Sequence, residues 1–209
     1  MNTTKKLICS SFVSAALLSP TANAEIAANV AIQSDYVWRG ISQNQEDPSI
    51  QGGFDYAHDS GFYAGIWAAS VDFGGDESTE ADLYAGWGTE LDNGLGIDVG
   101  IIEYTYHGGP AAGGDFTEYY VGLSYSGFGI TYSIGDEFDD NIEVSYGYDF
   151  ESGVSLGATY GDYDSYSYYQ VGVSGEVEGL GLDLSYWDTD LDAEPLADGR
   201  VVLTVSKEF

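Results

Sequence analysis

The chain is nearly devoid of cysteine and of base: Cys9 is its one cysteine, and five Lys and Arg stand against 35 Asp and Glu. Two of the five, Lys5 and Lys6, open the apolar stretch Leu7 to Leu18, which leads through Ser19-Pro20 to Ala22-Asn23-Ala24. A basic start, a short apolar run and an A-x-A site predict a secretory signal peptide over 1–24, cut to leave a mature chain of 25–209. Cys9 then leaves with the leader, which excludes disulfides and thiol chemistry from the mature protein. Only Arg39, Arg200 and Lys207 remain basic, while every acidic residue is kept. That balance excludes nucleic acid as a partner, since nothing is left to grip phosphates. Long apolar runs are missing too. Residues 25–209 hold no stretch of about 18 apolar residues that could cross a membrane as a helix. No window keeps the 3.6-residue spacing of an amphipathic helix over three turns.

What is abundant is aromatic and small. Eighteen Tyr, nine Phe and four Trp supply more apolar surface than a disordered acidic chain carries, so the chain folds. Five tight-turn signals recur at Ser60-Gly61, Asn93-Gly94, Ser126-Gly127, Ser152-Gly153 and Glu178-Gly179, spaced 33, 33, 26 and 26 residues apart. Glycine supplies the positive φ that such turns need. Between them lie longer acidic or glycine-rich loops at 43–48, 73–79, 107–114, 135–140, 162–165 and 189–198. The eleven connections leave twelve segments, the first of them running from Glu25 to Ser42.

Those segments alternate with period two, the signature of strands. Ile142, Val144, Tyr146, Tyr148 and Phe150 share one face, and Asn141, Glu143, Ser145, Gly147 and Asp149 the other. Leu180, Leu182, Leu184 and Tyr186 oppose Gly181, Asp183 and Ser185 in the same way. Two stretches are less regular: 62–72 is apolar on both faces, and Ile101-Ile102-Glu103 suggests a bulge. Twelve strands with tight turns at one end and longer loops at the other predict an all-β fold, an up-and-down antiparallel transmembrane β-barrel with its apolar face on lipid and its polar face on the lumen. Tyr36, Trp38, Tyr104, Tyr106, Tyr186 and Trp187, near strand ends, are expected to form interfacial girdles. The final strand, Arg200 to Phe209, alternates and ends in an aromatic. Val205 and Phe209 are therefore expected to carry the signal for the outer-membrane barrel-assembly machinery.

The N-terminal segment also carries motifs. Ser34-Asp35-Tyr36-Val37-Trp38-Arg39-Gly40-Ile41-Ser42-Gln43 is followed by Pro48-Ser49-Ile50-Gln51-Gly52-Gly53-Phe54-Asp55-Tyr56 and by Ser60-Gly61-Phe62-Tyr63-Ala64-Gly65-Ile66-Trp67-Ala68. Together these resemble the N-terminal half of the TorF-like porins, small Gram-negative outer-membrane proteins of poorly defined function. A second stretch of similarity surrounds Asp98–Gly109, where His107 replaces a proline frequent among relatives. The resemblance implies an outer-membrane location and a pore, and it supplies neither substrate nor catalytic residues.

Enzyme motifs fail on context. Gly153-Val154-Ser155-Leu156-Gly157 satisfies G-x-S-x-G, but the nucleophile elbow needs a helix after the serine, and here a strand follows. His58-Asp59-Ser60 is similar to the H-x-S pair of outer-membrane phospholipase A, yet it falls in a tight turn and not on an outer wall. Asp188-Thr189-Asp190-Leu191-Asp192 begins like an EF-hand loop, but Ala193 replaces the required glycine and Gly199 the bidentate Glu. Calcium binding by the acidic loops stays open on charge density alone. His58 and His107, without cysteine, make no transition-metal pattern. Gly94-Leu95-Gly96 lacks the third glycine and the helix of a nucleotide motif. No catalytic residue, metal ligand or cofactor is expected.

The expected function is passive passage of small cations or solutes through an acidic lumen in the outer-membrane lipid. Strand parity turns Asp82, Glu90, Asp98, Glu118, Glu143, Asp149, Glu176 and Asp183 inward. The same parity, with Arg39 placed on the first strand, turns Asp35, Arg39 and Arg200 inward as well. On that register the two arginines face each other across the seam between first and last strands, each with a carboxylate partner, Asp35 and Asp198 being nearest in sequence. A non-conducting barrel with an envelope-structural or surface-binding role, its lumen blocked by side chains, is the alternative.

Overall fold

A computed structural model describes residues 25–109, 114–136 and 138–209. Residues 1–24, the expected signal peptide, lie outside the described residues. Twelve antiparallel strands close into a barrel: β1 (Glu25–Gln33), β4 (Ser49–Ala57), β5 (Phe62–Ser70), β6 (Thr79–Glu90), β7 (Gly96–His107), β8 (Phe116–Tyr125), β9 (Phe128–Gly135), β10 (Asn141–Asp149), β11 (Val154–Tyr163), β12 (Tyr166–Val177), β13 (Leu180–Thr189) and β14 (Arg200–Glu208). Two short strands, β2 (Val37–Trp38) and β3 (Ile41–Ser42), pair only with each other.

Each strand pairs with its neighbour in sequence, apart from the hairpin, so closure falls to β1 and β14. Their register runs from Asn29 opposite Glu208 to Gln33 opposite Thr204. Phe209 completes the seam by exchanging backbone hydrogen bonds with Ala28 at 2.9 and 3.3 Å. The tight turns bend where glycine has positive φ, from 74° at Gly179 to 89° at Gly61. At Ser126-Gly127 and Glu178-Gly179 both residues have positive φ, the primed turn that matches the strands' twist.

Alternation then decides the two surfaces. Ile66, Leu83, Val121, Ile130, Val144, Leu156, Val171 and Leu184 are all exposed on the outside, an apolar band far larger than a water-facing surface tolerates. Aromatics border it: Tyr56, Tyr125, Phe128 and Tyr146 near the turn end, and Tyr119, Tyr160 and Tyr169 near the loop end.

Two sequence expectations change here. Of the six aromatics assigned to girdles, only Tyr186 has outward parity. Tyr36, Tyr104 and Trp187 are buried, and Trp38 and Tyr106 pack against them or their neighbours. Nor is there a bulge at Ile101–Glu103: β7 pairs without interruption from Thr79 opposite His107 to Glu90 opposite Gly96. Ile102 simply faces inward, buried with Tyr84, Tyr104 and Phe116, and Glu103 faces out. The inside of this barrel is apolar at the loop end because something fills it. That also explains why 62–72 reads as apolar on both faces: Ala69, near the end of β5, and Val71, just after it, pack inward against Tyr36.

Candidate functional site

The filling is the segment between β1 and β4. A strand of about ten residues already spans the bilayer, so β1 ends at Gln33 and the remainder is free to fold inward. Val37-Trp38 and Ile41-Ser42 pair around Arg39-Gly40, whose φ values of 49° and 86° make a two-residue primed turn. Gly40 is also forced by space, since a Cβ there would overlap the Thr189 methyl.

The base of this hairpin is tied to the seam. The Ser42 hydroxyl donates to Asp35 at 2.7 Å, and the Gln43 amide donates to the Tyr36 carbonyl at 2.7 Å. Asp35 in turn takes Arg200 Nη1 at 2.9 Å, and Glu46 joins the same guanidinium at 3.3 Å. The Asp72 amide donates to the Gln43 carbonyl at 3.0 Å, pinning the outer face to the loop after β5.

The tip crosses the mouth. Arg39 meets Glu118 of β8 through two contacts, Nη1 to Oε1 at 2.7 Å and Nη2 to Oε2 at 2.9 Å, with both side chains at least 96% buried. The guanidinium also lies 4.2 Å from the Trp38 ring centre and 4.7 Å from that of Tyr163. Burial works against its charge, but the Glu118 carboxylate more than offsets this and keeps Arg39 protonated. Tyr166 donates to the Arg39 carbonyl at 3.0 Å, and Tyr104 to Glu118 at 3.3 Å. Trp38 sits edge-on to Tyr104, Phe116 and Tyr163. Tyr36 donates to Glu80 at 3.1 Å, and burial together with that carboxylate pushes its hydroxyl well above the usual tyrosine range. It is a permanent donor.

Below the hairpin the wall is kept flat by rings lying over glycines. Tyr63, Tyr84, Tyr120 and Tyr168 cover Gly86, Gly65, Gly100 and Gly161, each so closely that a Cβ would overlap the ring. Their hydroxyls find carboxylates: Tyr63 reaches Asp98 at 2.6 Å and also meets the Tyr120 hydroxyl, Tyr84 reaches Asp55, and Tyr168 reaches Glu143 at 3.0 Å.

The sequence-predicted residues distribute along this interior. Asp82, Glu118 and Asp183 are buried, Asp98 and Glu143 are half-buried, and Glu90, Asp149 and Glu176 stand exposed toward the turn end. Asp149 accepts from Ser155 at 2.6 Å. Val205 and Phe209 point outward.

The seam geometry differs from expectation. Arg39 is not on β1; its guanidinium reaches β8, six strands around a twelve-strand barrel from the β14 that carries Arg200. The two arginines therefore serve opposite walls. Arg200 does pair with Asp35, but Asp198 meets it through its backbone carbonyl, which accepts from Nε at 3.0 Å. Parity counting failed because it carried β1 through a bend at Ser34-Asp35. Sequence reasoning also missed Glu80, Tyr63, Tyr84 and Tyr120. Glu80 shares the parity of Asp82, and an X-Gly pair between Val37-Trp38 and Ile41-Ser42 was the available signal for the hairpin.

The enzyme-like and metal-like motifs resolve into structure. His58 Nδ1 lies 2.7 Å from the Ser60 hydroxyl and accepts the Ser60 amide at 3.1 Å, closing a turn. Val154 onward is strand β11. Asp188 accepts from Tyr169 and Tyr186, both at 2.9 Å, while Asp190 accepts from Ser167. Among the described residues no three His, Cys, Asp or Glu converge as a metal centre.

Comparison with known proteins gives a family and a fold. A family model described as "Bacterial protein of unknown function (Gcw_chp)" matches residues 18–209. No curated protein matches the chain. A KdgM porin solved in complex with disordered oligogalacturonate superposes with a TM-score of 0.63 at 9% identity, covering 90% of this chain and 99% of that one. A second KdgM porin structure gives 0.57 at 8% identity, with 90% and 98% covered. Pseudomonas aeruginosa OccD3 (OpdP) gives 0.44 at 12% identity, with 90% and 65% covered. The likeness is one of fold: a porin-like barrel. The TorF-like label that the N-terminal motifs resemble is not carried by these matches.

Proposed function

The chain belongs to the Gcw_chp family of bacterial proteins of unknown function, and from that premise we propose that it is a porin-like channel of the Gram-negative outer membrane, passing small cations through a mouth narrowed by the β2–β3 hairpin. One observation carries the reading. Both inward arginines are held in ion pairs, Arg39 by Glu118 and Arg200 by Asp35 and Glu46, so neither offers a free positive charge. Asp98, Glu143, Asp149, Glu90 and Glu176 leave the rest of the path negative. Such a wall concentrates cations and repels anions. It would also repel an acidic oligosaccharide of the kind bound to the KdgM porin, so a shared barrel does not imply a shared cargo.

In a planar bilayer under a potassium chloride gradient, the reversal potential is expected to show cation preference that weakens as salt rises. Screening shortens to about 3 Å at 1 M salt, and wall charges then stop acting on a passing ion. Anion preference at low salt contradicts the assignment. For location, the protein is expected in the outer-membrane fraction with heat-modifiable mobility on a gel, because a closed barrel resists unfolding by detergent until it is heated. A soluble protein lacks both properties.

The packed hairpin favours a second reading, a non-conducting barrel with a structural or surface-binding role. Trp38 with Tyr104, Phe116 and Tyr163 leaves little room at the mouth. Folded protein that gives no conductance steps supports this reading over the first.

A further inference from the structure

Beside the Arg39–Glu118 pair the inner wall carries two buried carboxylates to which no described residue supplies a cation. Glu80 and Asp82 are successive inward positions of β6, 1% and 2% exposed. Tyr36 donates to one oxygen of Glu80, but Glu80 Oε2 and Asp82 Oδ1 are buried with no hydrogen-bond partner among the described residues. Asp82 is in electrostatic reach of both Glu80 and Glu118, and Glu118 is already committed to Arg39. Burying a carboxylate without a counter-charge is strongly unfavourable, so the pair must take up either protons or a cation from outside, and one cation satisfies both groups at once.

The surroundings say which kind. Trp67 on β5 and Tyr104 on β7 stand opposite Asp82, and Tyr106 stands opposite Glu80. Tyr36 closes the group, edge-on to Trp67 at 5.5 Å. Aromatic faces attract ammonium and guanidinium cations, whereas magnesium keeps several waters and calcium takes about six to eight oxygens, which a pocket walled by four aromatic rings does not accommodate. The chain displays the same chemistry next door, where its own guanidinium rests on Trp38 and Tyr163 against Glu118. Successive inward positions of a strand are about 7 Å apart at Cα, so one ammonium nitrogen can bridge both carboxylates.

We propose that Glu80 and Asp82, walled by Tyr36, Trp67, Tyr104 and Tyr106, bind an organic ammonium cation, which is the class of cargo this channel selects. The role as cargo rests on the pore reading; the binding itself does not. The test is calorimetric titration of the folded barrel in detergent micelles with putrescine, with folding checked by heat-modifiable mobility. Saturable binding is expected, weakened at least tenfold in Asp82→Asn and in Glu80→Gln, and unchanged in Asp92→Asn at the turn end. Both amides keep shape and lower buried charge, so folding should survive, and each reads the site without the other. Absence of binding to the wild-type barrel, wild-type affinity in Asp82→Asn or in Glu80→Gln, or displacement of putrescine by an equal concentration of magnesium overturns the proposal. A barrel that conducts cations but fails to bind putrescine overturns the site and leaves the pore. One that binds putrescine without conducting supports the site and removes the pore.

Discussion

Replacing Arg39 with alanine is expected to enlarge single-channel conductance and to destabilise the barrel by about 3–5 kcal/mol, the range for removing one partner of a buried ion pair. Glu118 would be left buried with, among the described residues, only the 3.3 Å hydrogen bond from Tyr104. The hairpin tip would also lose its grip on the far wall while its base stayed tied through Asp35, Ser42 and Arg200. The double variant Arg39→Met with Glu118→Leu separates the two effects. Apolar replacement of both partners removes the desolvation cost, so stability should return to within about 1 kcal/mol of wild type or exceed it. Thermal unfolding followed by gel mobility, alongside bilayer recording, measures both. Unchanged conductance in the single variant would mean that the ion pair does not hold the constriction.

Gly161→Ala is expected to be the most damaging of the glycine substitutions on the wall. Tyr168 is fully buried, and its ring lies against Gly161 where a new Cβ would overlap Cζ, Cε1 and the hydroxyl. The ring must leave the wall, giving up its bond to Glu143 and pressing on Gly40 at the hairpin turn, whose ideal Cβ position is 3.0 Å from Tyr168 Cβ. Overpacking of this kind costs about 1–3 kcal/mol. Gly122→Ala is the control: the nearest atom to its Cβ would be Thr131 Oγ1 at 3.5 Å, an ordinary contact. That variant should be neutral or gain a few tenths of a kcal/mol, up to about 1, from a less flexible unfolded chain. Equal stability of the two variants would show that the ring-on-glycine packing is not a determinant of the wall.

The barrel was legible in the residues because its determinants are local. Alternation of Ile142, Val144 and Tyr146 with Glu143 and Ser145 specifies two faces within one strand, and a glycine of positive φ specifies a turn within two residues. Twelve such units with short connections fit a closed sheet, and once it closes β1 must meet β14.

The mouth was a different matter. Arg39 on parity alone is a wall residue. Its position at the tip of an inward hairpin depends on Glu118, 79 residues away, and on Tyr166, 127 residues away. The same holds for Arg200, whose partner Asp35 is 165 positions distant. Tyr36, Tyr104 and Trp187, read one strand at a time, are strand-end aromatics suited to either interface or interior, and their burial was decided by the hairpin against which they pack. Strand identity, facing and turn placement were thus determined by the sequence itself, since period-two alternation and backbone φ act within a few residues. The contents of the lumen were decided only in the tertiary structure, because a buried charge takes whichever partner the closed barrel brings within about 3 Å.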